Sequence, residues 1–420
     1  MALTKVITGV TDLNQAQSTN GLKFPTGSVF AGTPEEGMIR NDQSQSSETS
    51  SSTMQFYNGT AWKNFVNKSP IPLGSDNFNT VLYTGNGGTQ AITGAGFEPD
   101  FTWIKQRSGG ASHSLQDSVR GAGQSKNIYS DNTAAEGTYG QYGYLSAFGT
   151  DGFTVVQGSG SHTNANSSTY VAWNWKAGGT AVSNTDGTIT SQVSANTAAG
   201  FSIVSYTGNS SSSATVGHGL DSTPELTIFK QLSSGGTSGG YWNVYYTPSN
   251  IVGFLNETNA LASNNGGTNG SVDISNMDST KFGFLVGSSS VNNQNNNLSE
   301  YIVYAFHSVA GYSKIGSYTG TNGVGTNTIV TGFEPAFVMI KRTDSTGNWR
   351  MYDDARNPGA VPKEISANLA ANSSAAEYND TNPGGGYLFF SSTGFYFPSG
   401  YGNADINGTG DYIFMAFAAT

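Results

Sequence analysis

The chain has 420 residues, a formal net charge of −10, 56 glycines and no cysteine, and only 11% of its residues are charged against 12% aromatic. At about 150 residues per domain this length holds roughly three domains. The composition excludes a long-helix protein, a wholly disordered chain, a disulfide or thiolate framework, and any general attraction to phosphate backbones or anionic lipid.

Residues 1–70 form an arm with a texture of their own. Five basic residues balance five acidic ones, so the acidic excess lies in residues 71–420. The first residues lack a charged segment followed by an apolar core, so no signal peptide is expected. Residues 43–53, a run of Ser, Gln, Glu and Thr, read as a polar loop. The following Phe56, Tyr57, Asn58, Gly59 and Trp62 predict a β-hairpin, because Asn-Gly between aromatic strands suits a tight turn.

After residue 70 one pattern occurs three times. An aromatic followed by Thr-Gly stands at Tyr83, Tyr206 and Tyr318. A Gly-Phe-Glu-Pro segment leading to Ile-Lys occupies residues 96–105 and 332–341, with a looser version at 219–230. Closing aromatic strands begin at Tyr170, Tyr301 and Tyr412; the second follows the first by 131 residues and the third follows the second by 111. Spacings of that size indicate tandem domains and not solenoid repeats. The expected division is 1–70, 71–180, 181–311 and 312–420. Alternation within the short runs has period two, as where Phe101 and Trp103 share one face and Thr102 and Ile104 the other. With Gly-rich turns between them, these runs predict an all-β chain: three tandem antiparallel β-sandwich domains of jelly-roll or lectin type after the hairpin arm. The longest apolar run, residues 412–419, is too short to span a bilayer as a helix.

Catalytic readings are weak throughout. His113 and Asp117 share a strand face but stand ~13 Å apart at ~3.3 Å per residue, too far for a triad. Asp117 with Arg120 and Asp353 with Arg356 read as a repeated salt bridge or turn lock. Glu98 with Asp100, and Asp353 with Asp354, are the acid pairs a glycosidase would need, and solvation in loops accounts for them better. The four histidines are dispersed, no metal site is expected, and Asp273 and Asp278 with Asn276 are a candidate calcium set of the kind Asp/Asn loops commonly mimic. No cofactor is expected. Glycan binding favours aromatic faces beside polar groups, which points to Tyr139, Tyr142 and Tyr144 in one Gly-rich segment and Tyr396 and Tyr401 in another.

Two resemblances cover nearly the whole chain. Gly-x-Ile-Arg-Asn at 37–41, a polar loop, and then Tyr-Asn-Gly-Thr-x-Trp at 57–62 resemble the N-termini of bacteriophage tail-fibre and related virion proteins. The unit that occurs three times, clearest at residues 96–105, 113–121, 151–155 and 170–176, resembles a module of marine phage virion proteins. A cysteine-free, loop-rich chain also suits a particle part that folds in a reducing cytoplasm. The resemblance implies a non-enzymatic tail-fibre or appendage subunit in the virion. It implies an arm docked to other virion proteins, commonly trimeric assembly, and attachment to a host surface glycan or protein without nucleic-acid binding or membrane insertion. A capsid decoration or head fibre is the alternative, and a polysaccharide depolymerase a third.

Overall fold

A computed structural model of the protein describes residues 39–42, 53–57, 60, 62–64, 74–211, 213–233, 240–263, 272–273, 277–284, 294–379 and 387–418. The chain divides into two compact units, Met1–Pro70 and Ile71–Thr420. In the first, Thr53–Tyr57 is the middle strand of a three-stranded antiparallel sheet, between Ile39–Asp42 and Trp62–Asn64. Tyr57 faces Trp62 across the hairpin, while its expected turn residues Asn58 and Gly59 lie outside the described residues.

The second unit is all-β with antiparallel sheets, and each repeat contributes two of them. The inner sheets share one strand order: opening, closing, second, third. In repeat 1 the strands, taken in that order, are Phe78–Thr84, Thr169–Trp175, Phe101–Gln106 and Ser114–Asp117. Repeat 2 uses Phe201–Thr207, Glu300–Phe306, Leu226–Ser233 and Trp242–Tyr246, and repeat 3 uses Ser313–Thr321, Thr409–Ala418, Pro335–Arg342 and Arg350–Asp353. A smaller outer sheet covers one face of each, built on Gly152–Gln157, Lys281–Phe284 or Gly394–Phe397.

Register explains the recurrent tyrosines. Tyr83 pairs with Tyr170, Tyr206 with Tyr301 and Tyr318 with Tyr412. Each pair stacks with ring centroids 5.0, 5.0 and 5.1 Å apart. The opening-strand hydroxyls donate to loop carbonyls, Tyr83 to Thr163 and Tyr206 to Gln294 at 2.6 Å each, and Tyr318 to Ile406. The phenols are thus buried without losing a hydrogen bond.

Both faces of the inner sheets are buried, which is why the second and closing strands are apolar nearly without interruption. One face packs on the outer sheet; Ile104, Tyr170, Ala172, Phe153 and Val155 form that layer in repeat 1. The other face joins a single core shared by all three repeats. Phe78 stacks on Phe417 at 5.2 Å, Phe101 on Tyr304 at 4.2 Å, and Trp173 meets Phe337 edge-on at 5.8 Å. The three repeats are therefore parts of one compact body whose largest aromatic cluster lies between them.

Equivalent backbone bonds close the repeats into a ring. Glu136 N–H donates to Leu232 C=O at 3.0 Å, Leu261 N–H to Thr343 C=O at 2.9 Å, and Glu377 N–H to Arg107 C=O at 2.9 Å. Repeat 1 thus donates to repeat 2, repeat 2 to repeat 3, and repeat 3 back to repeat 1. The carbonyls lie two residues beyond Lys105, Lys230 and Lys341, the landmark lysines of the second strand.

Candidate binding surface and the joints behind it

The polar residues singled out in the sequence are mostly fixed in the joints. Trp242 pairs with the buried Lys230, and His113 and Trp349 hold the same position, one residue before Ser114 and Arg350, which pair with Ile104 and Ile340 next to the buried Lys105 and Lys341. Trp242 Nε1–H donates to Tyr129 C=O at 2.7 Å and Trp349 Nε1–H to Phe254 C=O at 2.9 Å. His113 Nε2 reaches Ala370 C=O at 3.0 Å, and its Nδ1 accepts from Trp103 Nε1–H at 2.7 Å. Those partners place the proton on Nε2, and burial holds the imidazole pKa well below its ordinary value. Both ring nitrogens are used structurally, with Asp117 bonded elsewhere.

Asp117 and Arg120 form the expected lock, Oδ2 to Nε at 2.6 Å, and Asp353 and Arg356 repeat it at 2.6 Å. Neighbouring repeats complete each cluster. Tyr304 donates its hydroxyl to Asp117 at 2.8 Å, and Trp173 donates its indole N–H to Asp353 at 2.9 Å. Glu136 and Glu377 satisfy the far sides of Arg120 and Arg356 at 3.0 and 3.1 Å. Repeat 2 has Tyr246 where the others have these aspartates, so all the charges of the lock are absent together and none is left unpaired.

An exposed aromatic pair lies on repeat 1. Tyr139 and Tyr142 are 38% and 36% exposed, and their rings are 5.9 Å apart with planes 24° from parallel. A single 3₁₀ turn, Gly140–Tyr142, holds both; Tyr142 N–H donates to Tyr139 C=O at 3.0 Å. Gly140 is required there because a Cβ would sit 1.9 Å from the Gln124 carbonyl oxygen. His162, which the sequence reading passed over, supports Tyr142, while Tyr139 packs edge-on against Tyr129 at 5.7 Å. The His162 ring meets Tyr142 edge-on at 5.3 Å and also meets the buried Tyr129 at 5.3 Å. Tyr129 is in turn held by Asn127 Nδ2–H at 2.9 Å. Burial, with help from the Lys105 charge, lowers the His162 pKa to about 4, so the ring is neutral near pH 7. No sequence signal tied His162 to the tyrosines, since the contact depends on the fold.

The other tyrosine candidates stand elsewhere. Tyr144 is half-buried on Gly143–Gly149. Tyr396 is half-buried on an outer strand and stacks on Phe389 at 5.1 Å, while the Tyr401 hydroxyl is engaged by Tyr387. Gly394–Phe397 takes the place in repeat 3 that Gly152–Gln157 takes in repeat 1, so residues 396–401 are not the counterpart of residues 139–144. Of the calcium candidates, Asp278 closes a turn by accepting from Thr280 and Lys281 N–H at 2.8 and 3.0 Å. Asn276 and the Asp273 side chain lie outside the described residues, among which no group of three or more His, Asp or Glu could hold a metal. No helix among the described residues is long and apolar enough to cross a membrane.

Residues 73–420 match the family described as a domain of unknown function, DUF7483, and the chain belongs to that family. The match spans all three repeats as one length. No curated protein and no solved structure matches the chain.

Proposed function

We propose, from the resemblance of residues 37–62 and of the repeated unit to phage virion proteins, that the protein is a non-enzymatic bacteriophage virion component that attaches the particle to a host surface glycan. In this reading Met1–Pro70, with Phe56, Tyr57 and Trp62 on its hairpin, docks to other virion proteins, and the ring of repeats presents the contact surface. Several copies on one particle turn weak single contacts into firm attachment.

The observation that carries the reading is the stacked, exposed Tyr139–Tyr142 pair on a turn that Gly140 lets pack directly against Gln124, with Tyr142 backed by neutral His162. Rings held this way offer apolar faces to the C–H side of a sugar at little entropic cost. Their hydroxyls make no hydrogen bond among the described residues and are available to sugar hydroxyls. The test is titration of host lipopolysaccharide or capsular polysaccharide into the full chain. Tyr139→Ala and Tyr142→Ala should each weaken binding about tenfold, ~1.4 kcal/mol, at unchanged melting temperature. Undiminished binding in the double variant overturns the assignment.

A further inference from the structure

A 3₁₀ turn sets residues three apart on one stripe, so Tyr139 and Tyr142 stack while Gly140 and Gln141 fall on the two flanks of the stack. On the Gly140 flank the Gln124 side chain lies against the turn, where a Cβ on Gly140 would come within 2.9 Å of Gln124 Cγ. On the other flank the Gln141 backbone is fixed, its C=O accepting from Ser159 N–H at 2.8 Å. Gln124 and Gln141 are both exposed, and neither side-chain amide makes a hydrogen bond among the described residues. Two free amides thus flank the stack, each offering one acceptor oxygen and two N–H donors.

The segments that build this face carry no spare charge. Residues 120–142 contain Arg120, Lys126, Asp131 and Glu136, which sum to zero, and residues 158–162 contain only the neutral His162. The Arg120 guanidinium is engaged by Asp117 at 2.6 Å, Glu136 at 3.0 Å and the Lys126 C=O at 2.5 Å. The Lys126 ammonium faces Glu136 at 3.5 Å, and Asp131 accepts from His113 N–H at 3.1 Å. A sugar carboxylate or phosphate is held by a cation with donors to spare, and here each cation already has a carboxylate of its own. The net charge of −10 over the chain adds a long-range repulsion against any polyanion.

We propose, resting on the glycan reading above, that the Tyr139–Tyr142 face selects an uncharged pyranose unit of the host glycan over an acidic one, with Gln124 and Gln141 as the specificity-determining residues. The C–H side of the sugar ring lies on the tyrosines. Neighbouring hydroxyls, each both donor and acceptor, pair with the two amides. An amide satisfies such hydroxyls with no charge left over. An acidic sugar would instead lose water from its charge and find no cation to replace it. The two glutamines come from separate turns, Gln124–Lys126 and Gly140–Tyr142, held together because Gly140 leaves room for Gln124.

The probes are oligosaccharides released from host lipopolysaccharide or capsular polysaccharide by mild acid, split on an anion exchanger into an uncharged and an anionic pool, and titrated into the full chain by calorimetry. The uncharged pool should bind saturably, with an affinity that holds from low salt to about 0.5 M. The anionic pool should bind about tenfold more weakly or not at all. Gln124→Ala and Gln141→Ala should each weaken binding of the uncharged pool about fivefold, the loss of one or two hydrogen bonds, at unchanged melting temperature. Gln124→Lys, which brings a free cation to the stack, should raise the affinity for the anionic pool. Tighter binding of the anionic pool that Tyr139→Ala removes overturns the selectivity and leaves the glycan site standing. Binding of the uncharged pool that is indifferent to both glutamine variants overturns their role. Binding of neither pool overturns the glycan reading itself, and this selectivity with it.

Discussion

Side chains buried at the joints carry the largest single-residue effects. Asp353 and Arg356 are fully buried and share their hydrogen bonds with Trp173 and Glu377 of two repeats. Removing the aspartate breaks a buried ion pair and leaves the Arg356 Nε–H and the Trp173 indole N–H without acceptors, so Asp353→Ala should cost about 3–5 kcal/mol in denaturant unfolding. Tyr246→Phe, at the matching position of repeat 2, deletes no charge and should cost about 1 kcal/mol. The histidines set the acid limit. Burial lowers the pKa of His113, His162 and His218, so the folded chain binds fewer protons than the unfolded chain, whose histidines titrate near 6.5. Their contribution to stability is complete above about pH 6.5 and is lost as pH falls through the lowered folded values, about 4 for His162. The buried lysines act in the same sense at higher pH. Lys105 and Lys341 are lowered to about 8 and Lys230 to about 7, so stability rises from about pH 7 toward 10 as the folded state sheds protons first. Tyr301, raised to about 12, reverses the trend above about pH 10. Melting temperatures at fixed ionic strength should therefore climb from pH 5 to pH 9; a flat profile contradicts the neutral-histidine assignment.

At the scale of elements, the inner strands differ from those of an ordinary sandwich because neither face meets water. Phe101 and Trp103 belong to the shared core and Ile104 to the sandwich layer, while the partner strand divides Trp173 and Trp175 from Tyr170 and Ala172 in the same way. Period two told which residues share a face. It left open what the second face packs against, since apolar residues on both sides fit any covered sheet. Ser191–Asn196 shows an element whose worth lies in one residue. Val193 is buried against Val204 and Tyr206, so Val193→Ala should cost about 2 kcal/mol. The neighbouring exposed Gln192→Ala should stay within about 0.5 kcal/mol by thermal unfolding.

For the whole molecule, the closed ring means that a single repeat cannot bury its own surface. Residues 71–180 expressed alone would present Phe78, Phe101, Trp103, Trp173 and Trp175 to solvent. That fragment should bind a hydrophobic dye and lack a cooperative melt, whereas residues 71–420 should unfold in one transition by calorimetry. Independent folding of the fragment would refute the shared core as the source of stability. Sequence alone determined the β class, the threefold repeat, the facing of residues along each strand, and the i, i+3 Asp–Arg locks. Each of these is local or periodic, and short-range sterics and hydrogen bonding write them directly into residue spacing. Tertiary structure decided the rest: which repeat donates to which, why Tyr142 rests on His162 and Tyr139 on Tyr129 while Tyr396 and Tyr401 stand elsewhere, and which sheet edges are covered or open. Those outcomes depend on contacts between residues more than a hundred positions apart, such as Trp242 with Tyr129 and Trp173 with Asp353. Such contacts exist only once the three inner sheets have closed on one core.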